Sequence, residues 1–167
     1  QGRREHRRQA RLRPGPGAPV VSAPLVVCAH GTRDPAGRET IAAVVAAVAA
    51  RLPDVRVLDA FVDVHGPDVV EVVDGLPVGE GGVVVPLLLA GGYHVHVDIA
   101  QAVARRPDVT ATPALGPDDR LVDIVVDRLR SSGATAGMPV VLVPAGSSDA
   151  RAQADSAAVA EALARRW

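Results

Sequence analysis

From Leu25 onward, short apolar runs alternate with longer segments rich in Ala and Val, and this alternation constrains the fold of the chain more than any other feature. Leu25 to Ala29, Val55 to Phe61, Val83 to Leu89, Val109 to Thr112 and Val140 to Val143 read as strands. Their continuous apolar character suits strands covered on both faces. Between them, Gly37 to Arg51, Pro67 to Asp74, Val95 to Arg105, Asp118 to Arg130 and Ala150 to Arg166 read as helices. Pro53 and Pro107 stop two of these. Asp118 and Asp119 in a first turn, with Arg128 and Arg130 in the last, match the helix dipole. Alternating strands and helices predict an α/β fold, flavodoxin-like or chelatase-like, with a parallel sheet and helices on both faces.

The first segment differs from the rest. Gln1 to Arg8 is charged, and Pro14 to Pro19 alternates Pro, Gly and Ala, so residues 1–22 read as a disordered leader. It has no apolar centre of the kind a signal peptide needs. No apolar stretch approaches the roughly 18 residues of a membrane span, which predicts a cytoplasmic protein with no membrane partner. The net charge is −1 and aromatics make up 2% of the chain. Neither an electrostatic footprint nor a stacking platform for nucleic acid is therefore expected. There is no Lys, which removes P-loop and Schiff-base chemistry. The one Cys, Cys28, lies in an apolar run and reads as a small buried hydrophobe.

The chain also resembles itself. Pro24–Asp34 aligns without gaps on Pro139–Asp149, and the helix after each copy aligns as well. Gly31 falls on Gly146, Thr32 on Ser147 and Asp34 on Asp149, but His30 falls on Ala145. The expected organisation is one lobe over residues 23–132 and the first strand and helix of a truncated second lobe over 138–167. A lone strand–helix pair cannot bury a core of its own.

The residues that carry chemistry sit where strands end. His30-Gly31-Thr32-Arg33-Asp34 follows the first strand, Asp63 and His65 the second, and Gly91-Gly92-Tyr93-His94-Val95-His96 the third. In open α/β sheets ligands bind outside the carboxyl ends of the strands. Imidazole binds metals and moves protons near neutral pH. His94 and His96 are two apart, so they would share a face in a strand but not in a helix, and at most one of them is expected to serve with His30. Asp63 is either a carboxylate at the same rim or a solvated loop residue. Two imidazoles and a carboxylate would leave coordination positions open for catalysis.

These blocks resemble a family. Ala29-His30-Gly31-Thr32-Arg33-Asp34-Pro35 is similar to the opening motif of the sirohydrochlorin chelatases, the class II tetrapyrrole metal chelatases. Val85-Pro86-Leu87-Leu88-Leu89 with Gly92, His94-Val95 and Asp98-Ile99 is similar to their second block, and Leu115-Gly116-Pro117-Asp118 to a third. The resemblance covers Pro24 to about Leu129. It implies insertion of a divalent metal, Co2+ or Fe2+, into sirohydrochlorin for cobalamin or siroheme, with the metal as substrate and no organic cofactor. It implies that His30 and His94 bind the metal and assist deprotonation, with Asp63 at a position where the family often has Glu. Tyr93 stands where the pattern often has Gly, and His96 is additional. Thr32, Arg33 and Gly92 are candidate contacts to the acidic macrocycle. The family includes two-lobe members, so a second lobe or a homodimer partner is expected. Two other readings stand beside this one. The chain could be a non-catalytic metal- or tetrapyrrole-binding half of a two-lobe protein. A flavodoxin-like carrier is the other, but Gly31-Thr32-Arg33 is a poor phosphate loop and the flanking aromatics are missing.

Overall fold

The computed structural model describes residues 22–167. The expected leader at 1–22 lies outside the described residues except for Ser22, which already belongs to the first strand. Four parallel strands, β1 (Ser22–Ala29), β2 (Val55–Phe61), β3 (Gly82–Pro86) and β4 (Val109–Ala111), form one sheet in the order β2-β1-β3-β4. The register sets Leu25 beside Val57 on one side and Val83 on the other. The direction of winding reverses at β1, which leaves a crevice at the carboxyl ends of β1 and β3.

Five helices follow in the predicted order, α1 (Pro35–Arg51), α2 (Val69–Asp74), α3 (Ala100–Ala104), α4 (Asp119–Ser131) and α5 (Ala150–Arg166), but α3 covers only the second half of the helix expected over Val95 to Arg105. Four of the starts are fixed by an Asp whose carboxylate accepts from a backbone N–H two residues on: Asp34, Asp68, Asp118 and Asp149. Such caps satisfy amides that the helix itself leaves unpaired. The exception is α3, which is entered through a π-helical turn at His94–Ile99 and has no side-chain cap.

The main core lies where Val26, Cys28 and Val84 of the sheet meet Val69 and Val73 of α2 and Ile99 and Ala102 beside them. Strand alternation turns Val27 and Ala29 to the opposite face, where α1 runs beside β2. Arg106 fastens the loops below: it donates to the carbonyls of Leu76 and Pro77 and pairs with Asp108. A second apolar cluster joins Val122 and Val126 of α4 to Leu163 of α5.

The expected fifth strand at Val140–Val143 does not form. Val140 packs into the α4–α5 cluster, while Val141 and Val143 are 84% and 81% exposed. A strand exists only through the ladder it makes with a neighbour, and no strand among the described residues pairs with this segment. The third strand is also shorter than predicted: it ends at Pro86, and Leu87–Leu89, after one further bond from Leu87 N–H to the Cys28 carbonyl, lines the crevice.

Candidate functional site

Backbone pairing continues past the strand ends and lashes the candidate loops together. Val62 N–H donates to the Ala29 carbonyl (3.1 Å), Asp63 N–H to that of His30 (3.1 Å), and Leu87 N–H to that of Cys28 (2.7 Å). Gly31 adopts φ +95°, and a Cβ there would run into the Asp63 carbonyl oxygen, so only glycine lets the first two loops close on each other. Val64 holds φ +70°, a strained conformation for a β-branched residue, directly beside Asp63. Strain of this kind persists only where the surroundings enforce it, and it clusters at functional sites.

The structure brings His30 and His94 together. Their ring centroids are 4.6 Å apart and the rings stand perpendicular, at 87°. His30 is exposed at the rim, and His94 is half-buried at the start of the π-helical turn. Wide turns of this type recur at functional sites. Asp98, one turn on, lies 2.6 Å from His94 Nδ1. This contact places the proton on Nδ1 and leaves Nε2 as the free nitrogen of the ring. Asp98 is a neighbour of the candidate site that the sequence reading did not name as a site member. Its signal was present in the four-residue spacing from His94, which puts both on one helix face.

Both imidazoles open on a cleft of about 960 Å³. One wall is Leu87–Leu89, Gly92 and Tyr93, and the other is the segment Leu142–Ser147 with the first turns of α5. That second wall was not legible from the sequence. Among the predicted contacts, Gly92 lines the cleft, whereas Thr32, Arg33 and Asp63 stand on adjoining loops outside its lining. The Thr32 hydroxyl accepts from Asp34 N–H, its carbonyl accepts from Arg38, and Arg33 is exposed. The Asp63 carboxylate accepts from Val64 N–H at 2.7 Å. Among the described residues no three His, Cys, Asp or Glu side chains are grouped closely enough to hold a metal ion. His30, His94 and Asp63 are therefore not gathered as a ready three-ligand set.

The remaining histidines are separate. His65 tilts against Phe61, with centroids 4.0 Å apart, and its Nδ1 faces the Gly66 carbonyl. His96 is exposed on the side of the π-helical turn that faces α5, where its Nε2 and the Asp155 carboxylate flank Gly91. Cys28 is buried, and desolvation first, then the charges of Asp68 and Asp98, push its thiol up to about 12. It stays protonated and offers no thiolate to a metal.

The chain is an α/β protein with a parallel sheet whose strand-end loops set two imidazoles, one held by a carboxylate, over an apolar cleft, an arrangement whose chemistry suits metal binding or proton transfer. The comparisons make this specific. The family model described as CbiX matches residues 24–132, and the chain belongs to that family. No curated protein matches the chain. Two of the solved structures similar in fold are of SirB. The sirohydrochlorin chelatase SirB from Bacillus subtilis subspecies spizizenii, in complex with cobalt, is 24% identical at a TM-score of 0.71, covering 87% of this chain and 63% of that one. SirB from Bacillus subtilis with Fe3+ is 23% identical at a TM-score of 0.72, covering 87% and 62%. The chain thus spans less than two thirds of the SirB length in both comparisons.

Proposed function

We propose that this chain is a sirohydrochlorin metal chelatase, taking a divalent metal, cobalt or iron, and the metal-free macrocycle as its two substrates. The observation that carries the reading is the His30–His94 pair, 4.6 Å between ring centroids, at the open edge of an apolar cleft. Metal insertion requires two pyrrole N–H protons to leave as the ion enters the ring. Neutral imidazole accepts such protons and also ligates divalent metals. Asp98 fixes the His94 tautomer, so that Nε2 serves as the acceptor. A pair without a third donor suits metal transfer, because two imidazoles hold an ion loosely enough for a tetradentate macrocycle to take it. Asp63 then acts beside His30 as proton acceptor or charge balance once the macrocycle has entered. Arg33 and the amides of the Thr32 loop would meet the substrate's carboxylates, with Gly92 leaving room for the ring.

The same reading covers the surroundings. None of the residues of α1 is fully buried, whereas α5 buries Leu163 against α4. A second lobe or a second copy would cover α1 in the same way. The reaction, a step toward cobalamin or siroheme, would take place in the cytoplasm. No helix of the described residues is long and apolar enough to cross a membrane.

The test is absorbance-followed insertion of Co2+ and of Fe2+ into sirohydrochlorin. Turnover above the uncatalysed rate, lost in His30→Ala, is the expected result. Binding of the macrocycle without turnover would favour a non-catalytic half, and a rate equal to the uncatalysed one with no binding would overturn both.

A further inference from the structure

The geometry points to Tyr93 as a stacking residue that positions a flat conjugated macrocycle over the His30–His94 pair; this rests on the reading of the cleft as a tetrapyrrole site. The chain holds one Phe, one Tyr and one Trp. Phe61 is buried against His65. Trp167 packs into the α4–α5 cluster and donates through Nε1 to the Met138 carbonyl at 2.8 Å. Only Tyr93 stands at the cleft, and its side of the molecule is open: the residue is 59% exposed. Leu89 and Val143, at 67% and 81%, are exposed on the same cleft. Exposed apolar side chains on both walls of one cleft suit a ligand with an apolar body.

The ring is also held. Tyr93 meets His94 edge to face, with centroids 5.9 Å apart and planes at 88°. His94 is in turn fixed by Asp98, so the Tyr93 ring rests on a neighbour that does not turn freely. A perpendicular contact occupies at most one face of the tyrosine ring and leaves the other free. The hydroxyl has no partner among the described residues, since no hydrogen bond there involves it. An exposed aromatic face with a free polar tip fits an acidic conjugated ring system: the face stacks on the macrocycle, and the hydroxyl donates to a peripheral carboxylate. Because Tyr93 and His94 are adjacent, the stacked position sets the macrocycle's centre relative to the imidazoles. Tyr93 is a positioning residue in this scheme and transfers no proton.

The experiment compares the parent chain with Tyr93→Ala and Tyr93→Phe, titrating each with metal-free sirohydrochlorin by fluorescence and then measuring insertion. By the strength of aromatic stacking, Tyr93→Ala should raise both Kd and KM about tenfold, with a smaller change in kcat, and Tyr93→Phe should stay within about threefold of the parent. Equal thermal melting of the three proteins is expected from an exposed side chain. If Tyr93→Ala binds the macrocycle as the parent does, the stacking role is overturned and the chelatase reading stands. If the parent binds no macrocycle, the tetrapyrrole reading itself falls, and the stacking role with it.

Discussion

The chain carries two versions of one loop, and comparing them separates what holds the loop together from what gives it chemistry. In the first, Gly31 has φ +95°, Asp34 N–H donates to Thr32 Oγ1, Asp34 caps α1, and Arg38 donates to the Thr32 carbonyl. In the second, Gly146 has φ +90°, Asp149 N–H donates to Ser147 Oγ, Asp149 caps α5, and Gln153 donates to the Ser147 carbonyl. The bonding pattern survives with Gln in place of Arg and Ser in place of Thr. It survives although β1 lies inside the sheet and residues 140–143 belong to no strand. The loop is thus a self-contained helix-entry unit, stable wherever a capped helix begins. What differs is the residue before the glycine, His30 against Ala145, and what stands opposite it. Only the first copy sets an imidazole against the His94 ring; Ala145 lines the opposite wall of the cleft.

The largest effect should come from that difference. His30→Ala makes the first loop chemically like the second, and insertion should fall by roughly a hundredfold or more, the scale of a lost proton acceptor. Thermal stability should hardly change, because His30 is exposed and supports no core. The reverse change, Ala145→His, made in the His30→Ala background, should not restore activity, since position 145 lies on the opposite wall of the cleft and lacks the ring contact that His30 makes with His94. Restored turnover would show that the two loops are interchangeable and would break the comparison.

Next in size is a difference in packing. Gly31 and Gly146 share a backbone conformation, but a Cβ at Gly31 meets Asp63, whereas at Gly146 it meets nothing within 4 Å. Gly146→Ala should cost about 1 to 2 kcal/mol, the conformational strain alone. Gly31→Ala adds a collision with backbone that cannot swing away, and should cost about 3 kcal/mol or more. Urea unfolding of both variants measures this. Equal losses would mean that the first loop is not clamped against the second strand's loop.

These contrasts also show what was readable beforehand. The strand at Val55–Phe61 and the helix at Ala150–Arg166 match the sequence reading residue for residue, because each is bounded by local signals: Pro53 and a charged loop for one, Asp149 for the other. The likeness of the two helix-entry loops was readable for the same reason, since caps and glycines are local. Val140–Val143 has the composition of a strand and is not one, because pairing depends on a neighbour the segment does not have. His30 and His94 were readable as strand-end residues. The position of Asp63 on the second loop was readable too, but the direction of its carboxylate was not, because that depends on the strained Val64 turn. The second wall of the cleft was hidden, as it arises from how α5 and residues 142–147 fold back over the loops that carry His30 and His94.

A smaller test concerns the caps themselves. Asp34→Ala and Asp149→Ala should each lose about 1 kcal/mol. The loss at Asp149 should be slightly the larger, because its carboxylate also pairs with Arg151 at 2.7 Å. Losses that differ in the opposite order would mean that α1 depends on its cap more than α5 does, as its lack of fully buried residues allows.

The smallest expected effect is in acid. The Arg151 side chain first, and its backbone amide next, draw the Asp149 carboxyl down from 3.8 to about 2. A carboxyl with a depressed value binds its proton more weakly in the folded chain than in the unfolded one. Its contribution is therefore complete above the ordinary carboxylate range and is lost as pH falls through about 2. Arg151 is more than half exposed, so solvent screens the pair and the effect is modest. Asp149→Asn separates this group from the other carboxylates, because Asn still caps a helix but does not titrate. Melting temperatures of parent and variant should differ at neutral pH by a small, constant amount. The gap should close as pH falls from about 4 toward 2, because protonation leaves the parent's Asp149 as uncharged as the Asn. A gap that stays constant across this range would show that the Arg151 pair adds nothing to the cap, and that the two loops are held by the same forces.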